Sequence, residues 1–205
     1  MNPQLQNRDY YLLIDKSGSM GTRDASGNGK TRWQICQEGT QALAAKIEEL
    51  DPDGISLYTF ASAFKRYDNV TAAKVADVFK ENEPNGSTNL TKVLDDAFND
   101  YFTVKSSGKS KANGAMFLIV TDGEPDDRQS VARSIIAATQ KMDRDEELAL
   151  SFIQIGEDVG ATQFLQFLDD GLQAQGAKFD IVDTITAKES ENITFTELLT
   201  KAITD

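Results

Sequence analysis

Tyr10-Tyr11-Leu12-Leu13-Ile14 passes without a break into Asp15-Lys16-Ser17-Gly18-Ser19-Met20. The first five residues form a near-continuous apolar run, the pattern of a strand buried on both faces. Strands of that kind belong to parallel sheets covered by helices. The next six read as the loop at the strand's carboxyl end. Gly18 lets the backbone turn tightly, and Asp15, Ser17 and Ser19 put an oxygen at alternate positions. Such spacing can aim all three at one point, and a carboxylate with two hydroxyls is a partial ligand set for Mg²⁺. The same residues also suit a Ser/Gly turn whose Asp caps the following helix, and the hexapeptide alone leaves both readings open.

The rest of the chain repeats the opening rhythm. Ile55–Phe60, Ala115–Val120, Leu148–Ile155 and Lys178–Val182 are further strand-like runs. Phe64–Val70 is a weaker one, joined to Ile55–Phe60 by Ala61-Ser62-Ala63 as a hairpin. Helical patterns occupy Thr31–Leu50, Ala72–Lys80, Asn89–Val104, Ser130–Met142, Gly160–Gly176 and Thr194–Ile203. Strands separated by helices pair in parallel through right-handed crossovers. The fold predicted is a three-layer, doubly wound α/β sheet, Rossmann-like, with six strands, one antiparallel edge strand and helices on both faces. The length of 205 residues suits a single domain over 1–205. Sites in such sheets form at the carboxyl ends of strands where the chain order reverses. The loops after Ile14, Val120 and Ile155 are therefore the places to look.

Two of the other loops carry matching chemistry. Thr121-Asp122-Gly123 follows Ala115–Val120, and Asn85-Gly86-Ser87-Thr88-Asn89 precedes a helix. Each alone reads equally well as a turn or a helix cap. Together, Asp15-x-Ser17-x-Ser19, then Thr88, then Asp122, on an α/β alternation, resemble the metal-ion-dependent adhesion site of von Willebrand factor type A domains. The resemblance runs from about Asp9 to Ile203. It implies that Ser17, Ser19 and Thr88 offer hydroxyls to a divalent metal, usually Mg²⁺, and that Asp15 and Asp122 bind it directly or through water. It also implies that a partner protein's Asp or Glu completes the coordination. Two carboxylates would balance one divalent charge, and the neutral hydroxyls would leave the ion attractive to an incoming carboxylate. A finer resemblance, over Phe152–Gly156, Phe164-Leu165, Leu168–Asp170 and Asp180–Asp183, is to intracellular A domains of bacterial stress and tellurium-resistance clusters.

Composition narrows the chemistry. The chain has no histidine and one cysteine. That excludes a Ser-His-Asp triad, an imidazole ligand, a disulfide within the chain and a thiolate metal cage. A metal held by this chain needs oxygen ligands, which favour Mg²⁺, Mn²⁺ or Ca²⁺. A net charge of −12 argues against nucleic acid and anionic membranes as partners. No apolar run is long enough to span a bilayer. Met1–Asp9 is polar, and the sequence reads as cytoplasmic. Asn85-Gly-Ser87 and Asn89-Leu-Thr91 fit the glycosylation sequon beside Thr88, where a glycan would cover the site; this agrees with a chain kept from a glycosylating pathway. The sequence does not speak to oligomeric state.

Several stretches approach other motifs. Gly27-Asn28-Gly29-Lys30-Thr31 ends like a phosphate loop, but Asp24 stands where its first glycine belongs. Thr22–Gly29 reads instead as a surface loop, with Arg23, Lys30 and Arg32 either solvated or turned to an acidic ligand. Glu124-Pro125-Asp126-Asp127 suits a solvated helix start better than a second cation site. Trp33 and Cys36 read as core. A metal-assisted phosphoester hydrolase is the rival function, and it would need Glu124 or Asp126 as general base. A scaffold with a vestigial metal loop is a third. In relatives of this fold the last helix can shift and re-ligate the metal; here Thr194–Ile203 lies close to Asp205, and little mechanical regulation is expected.

Overall fold

The sheet is built on alternation within its central strands. In the computed structural model, which describes residues 6–23, 29–49 and 53–185, the opening run forms strand β1 (Asp9–Asp15). Tyr11 and Leu13 enter one apolar cluster, and Tyr10, Leu12 and Ile14 enter another on the opposite face. Strand β4 (Ala115–Thr121) divides in the same way, with Phe117 and Ile119 on the first face and Met116, Leu118 and Val120 on the second. A strand buried on both sides must be apolar at every position, which is why these runs show no polar alternation.

Helices α1 (Arg32–Glu48) and α2 (Ala72–Lys80) cover one face through Trp33, Cys36, Leu43, Val75 and Phe79. Helices α3 (Leu90–Ser106), α4 (Arg128–Gln140) and α5 (Val159–Gly171) cover the other. Among the described residues, six strands form one sheet, which in order across it are β3 (Phe64–Val70), β2 (Ile55–Phe60), β1, β4, β5 (Leu148–Gln154) and β6 (Val182–Ile185). Strands β2 and β5 flank the central pair. All neighbours pair in parallel except β2 with β3, the antiparallel edge.

The sequence places the elements well and some of their ends less well. The last strand of the sheet, β6, is Val182–Ile185 rather than Lys178–Val182. Lys178 is instead occupied in the approach to the strand, its N–H donating to Thr139 Oγ1 and its ammonium to the carbonyl of Met142. Pairing with β5 begins where Val182 meets Leu150. Helix α5 ends at Gly171 rather than at Gly176; a short 3-10 turn, Gln173–Gln175, follows it. The pattern at Thr194–Ile203 and most of the Thr22–Gly29 loop lie outside the described residues.

This topology decides where the site lies. From β1 the chain crosses by α1 to β2 on one side. It returns from the edge through α2 and α3 to β4 on the other side of β1. Two connections leaving neighbouring strands in opposite directions leave a crevice between them at the carboxyl ends.

Candidate metal centre

Asp15 closes β1 and Asp122 follows β4, so the crevice holds one carboxylate from each side. Both are buried, with Asp15 0% and Asp122 1% exposed. Asp15 Oδ1 accepts the N–H of Ser17 at 2.7 Å, and Oδ2 accepts the Thr121 hydroxyl at 2.8 Å. Burial pushes the Asp15 carboxyl up to about 6; these hydrogen bonds oppose the shift and the like charge of Asp122 adds to it.

After Asp15 the backbone enters a 3-10 turn, Gly18–Gly21, pinned by the fully buried Met20. The turn brings the Ser17 and Ser19 hydroxyls within 3.1 Å of each other. Ser19 Oγ in turn donates to Asp122 Oδ1 at 2.7 Å. Asp15, Ser17, Ser19 and Asp122 are thus drawn into one hydrogen-bonded chain.

Thr88 reaches this place through its backbone. Its loop is tied to the first by Asn85 N–H to the Lys16 carbonyl, 2.8 Å, and Gly18 N–H to the Gly86 carbonyl, 3.1 Å. Gly86 has φ +80, and a Cβ there would lie 2.7 Å from Ser62 Oγ. The tight turn therefore needs glycine. Asp126 then locks the second loop to the third. Its carboxylate accepts Ser87 Oγ at 2.7 Å and Thr88 N–H at 3.1 Å, while its own N–H donates to the Thr88 carbonyl at 2.9 Å.

Three residues that sequence reasoning did not assign to the site serve it. Thr121 orients Asp15, Asp126 holds Thr88, and Arg32 donates from Nη1 to Asp122 Oδ2 at 2.7 Å. Arg32 is therefore neither a solvated charge nor turned outward to an acidic ligand. Lys30, grouped with it in the sequence, pairs with Glu38 on the surface. The acidic run also divides by role: Glu124 pairs with Arg128, and Asp127 caps α4 by accepting Ser130 N–H. Cys36 is fully buried behind the crevice, and burial together with the charges of Asp15 and Asp122 raises its thiol well above the usual range. It is a packing residue.

The donor set can be tested against a cation. Among the described residues no group of three or more His, Cys, Asp or Glu side chains stands ready for a metal. An ion here must be held by hydroxyls as much as by carboxylates. Two buried like-charged carboxylates linked through Ser17 and Ser19 fit a hard divalent cation, which would relieve the repulsion that burial intensifies.

The sequence profile of the von Willebrand factor type A domain matches residues 10–124, more than half of the 205. No curated protein sequence matches the chain. Several solved structures are similar in fold. The PilB minor pilin of Streptococcus sanguinis superposes with a TM-score of 0.65 at 15% identity, over 97% of this chain and 61% of the pilin. The manganese-loaded TRAP protein of Plasmodium vivax gives 0.59 at 18%, over 97% of this chain and 74% of TRAP. The pilus adhesin SpaC of Lactobacillus rhamnosus GG gives 0.61 at 12%, over 97% of this chain and 30% of the adhesin. The chain thus spans less than two thirds of the pilin and less than a third of the adhesin. With the profile match, the doubly wound sheet and the crevice between β1 and β4 in agreement, the chain belongs to the von Willebrand factor type A domain family.

Proposed function

We propose that this domain is a divalent-metal-dependent protein-binding module whose metal-ion-dependent adhesion site captures an acidic side chain of a partner. The observation that carries the reading is the convergence of the buried Asp15, Ser17 and Asp122 with the exposed Ser19 in one hydrogen-bonded chain. Thr88 is tied to Asp126, which follows Asp122 in the loop after β4. A bound Mg²⁺ or Mn²⁺ would supply an electrophilic position for a carboxylate. Asp15 and Asp122 would hold the ion's charge, and Ser17, Ser19 and Thr88 would supply neutral oxygens. The manganese-loaded state of TRAP supports this choice of cation. A hydrolase is less well served, because Glu124 and Asp126, its prospective bases, are engaged by Arg128 and by the Thr88 loop.

Calorimetric titration with Mn²⁺ and Mg²⁺ tests the site. Wild type is expected to bind either ion, and Asp15→Ala and Ser19→Ala to lose it. Capture of a Glu-containing peptide should require the ion and disappear in EDTA. A partner held equally well in excess EDTA overturns the reading. A cytoplasmic location belongs to the same proposal. Asn89 caps α3 by accepting Lys92 N–H, and Asn85 donates to the Glu83 carbonyl, so a glycan on either sequon would disturb the loop. Fractionation that recovers the chain outside the cytoplasm overturns that part.

A further inference from the structure

Arg32 occupies an unusual place for a cation. It is the first residue of α1, where the partial positive charge of the helix end disfavours a guanidinium. It nevertheless turns inward, with only 19% of its side chain exposed, onto an Asp122 side chain that is fully buried. The seat is built from a third element as well. Gly156 follows β5 with φ +78, and a Cβ there would lie 2.5 Å from Arg32 Nη2 and 2.6 Å from Cζ. The helix start, the tip of β4 and the turn after β5 all shape one position for this group. Each Asp122 oxygen then has its own donor, Ser19 on Oδ1 and Arg32 on Oδ2.

From this geometry, and resting on the metal-site reading above, we propose that Arg32 is a specificity-determining residue that trades cation affinity for affinity toward an anionic ligand. Asp15 and Asp122 together carry two negative charges, enough to neutralise a divalent ion. Arg32 cancels one of them inside the same hydrogen-bonded network. The loaded site therefore keeps one net positive charge, and an incoming carboxylate is what neutralises it. The fixed charge also explains how a chain of net −12 could attract an acidic partner: the attraction is local and buried, where salt screens it least. Neutral ligands such as hydroxyls and amides gain nothing from it, so the site selects carboxylates.

Titration of the full chain with Mn²⁺, alone and with glutarate as a carboxylate probe, tests this. Glutarate should tighten Mn²⁺ binding in wild type, because the coupling between two ligands is reciprocal. Arg32→Gln is expected to bind Mn²⁺ about tenfold more tightly and to lose most of the glutarate coupling. Arg32→Lys, which keeps the charge, should stay within about threefold of wild type on both measures. Gly156→Ala removes the guanidinium's seat without touching Arg32 and should act like Arg32→Gln, which keeps the test open if one variant folds poorly. An Arg32→Gln protein, folded by circular dichroism, that binds Mn²⁺ no more tightly than wild type overturns the proposal. So does an Arg32→Lys protein that behaves as Arg32→Gln. If wild type and Asp15→Ala bind Mn²⁺ alike, the metal site itself fails, and that outcome is distinct from the other two.

Discussion

Asp126 shows how a single exposed side chain can control a site it does not enter. Its carboxylate takes two donors from the second loop, and its N–H returns one bond to the same loop. Those bonds fix the backbone of Thr88, and hence where the Thr88 hydroxyl can stand. Asp126→Ala is expected to cost only about 1 kcal/mol of stability, since one lost hydrogen bond is exposed and the other is only part-buried. Mn²⁺ affinity should fall about tenfold or more, in line with the loss of a group that orients a ligand. Parallel denaturant melts and calorimetry separate the two effects; equal Mn²⁺ affinity in the variant would mean that Thr88 is placed without it. Residues of this kind explain what could be read in the sequence. Asp15, Ser17 and Ser19 sit within five residues at a strand tip, so their spacing alone suggests a site. Asp126 meets Thr88 across 38 residues and Arg32 meets Asp122 across 90. Only the folded chain creates those pairs, and in sequence both look like ordinary surface charges.

Among the elements, α1 links packing to the site. Thr31 precedes it and forms a reciprocal capping box: its hydroxyl accepts Gln34 N–H at 3.2 Å, and Gln34 Oε1 accepts Thr31 N–H at 2.9 Å. Thr31→Ala is expected to lower stability by about 1 kcal/mol and to loosen the first turn, which carries Arg32. Urea titration reads the first effect. Faster amide exchange at residues 32–35, with the centre of α1 unchanged, reads the second. Strand β4 shows the opposite case, an element that is core from Ala115 to Val120 and meets the site only at its last residue, Thr121. Phe117 is fully buried, stacked on Tyr11 at 4.6 Å and met edge-on by Phe98 at 5.2 Å. Phe117→Ala should cost about 3–5 kcal/mol, measured as a drop in the denaturation midpoint, with the slope little changed. The elements are legible because a doubly covered strand must be apolar between its ends, and β1 from Tyr10 to Ile14 and β4 from Ala115 to Val120 are. The ends of α5 and β6 were less so. Lys178 and Phe179 resemble the start of a strand by composition, yet Lys178 is held by Thr139 and Met142 before pairing with β5 begins.

For the whole molecule, the sheet and the loops at its carboxyl end should respond differently to a cation. The two apolar clusters hold the sheet whether or not the site is filled. The three loops are joined to one another mainly by hydrogen bonds, part-buried or exposed. Two buried carboxylates of like charge oppose that junction. A divalent ion that binds only the folded state stabilises it by mass action, by about 2.7 kcal/mol at a hundredfold excess over Kd. For a chain of this size that corresponds to a rise in Tm of about 5–10 °C. The rise should be absent in Asp15→Ala. It should also be local in origin: hydrogen exchange is expected to slow at residues 15–22, 85–89 and 121–127. Exchange around Gly114, at the amino end of β4, should change little. Protection spread evenly over the sheet would mean that the ion acts on the protein's overall charge of −12 rather than at the crevice. In that case added monovalent salt would reproduce the effect.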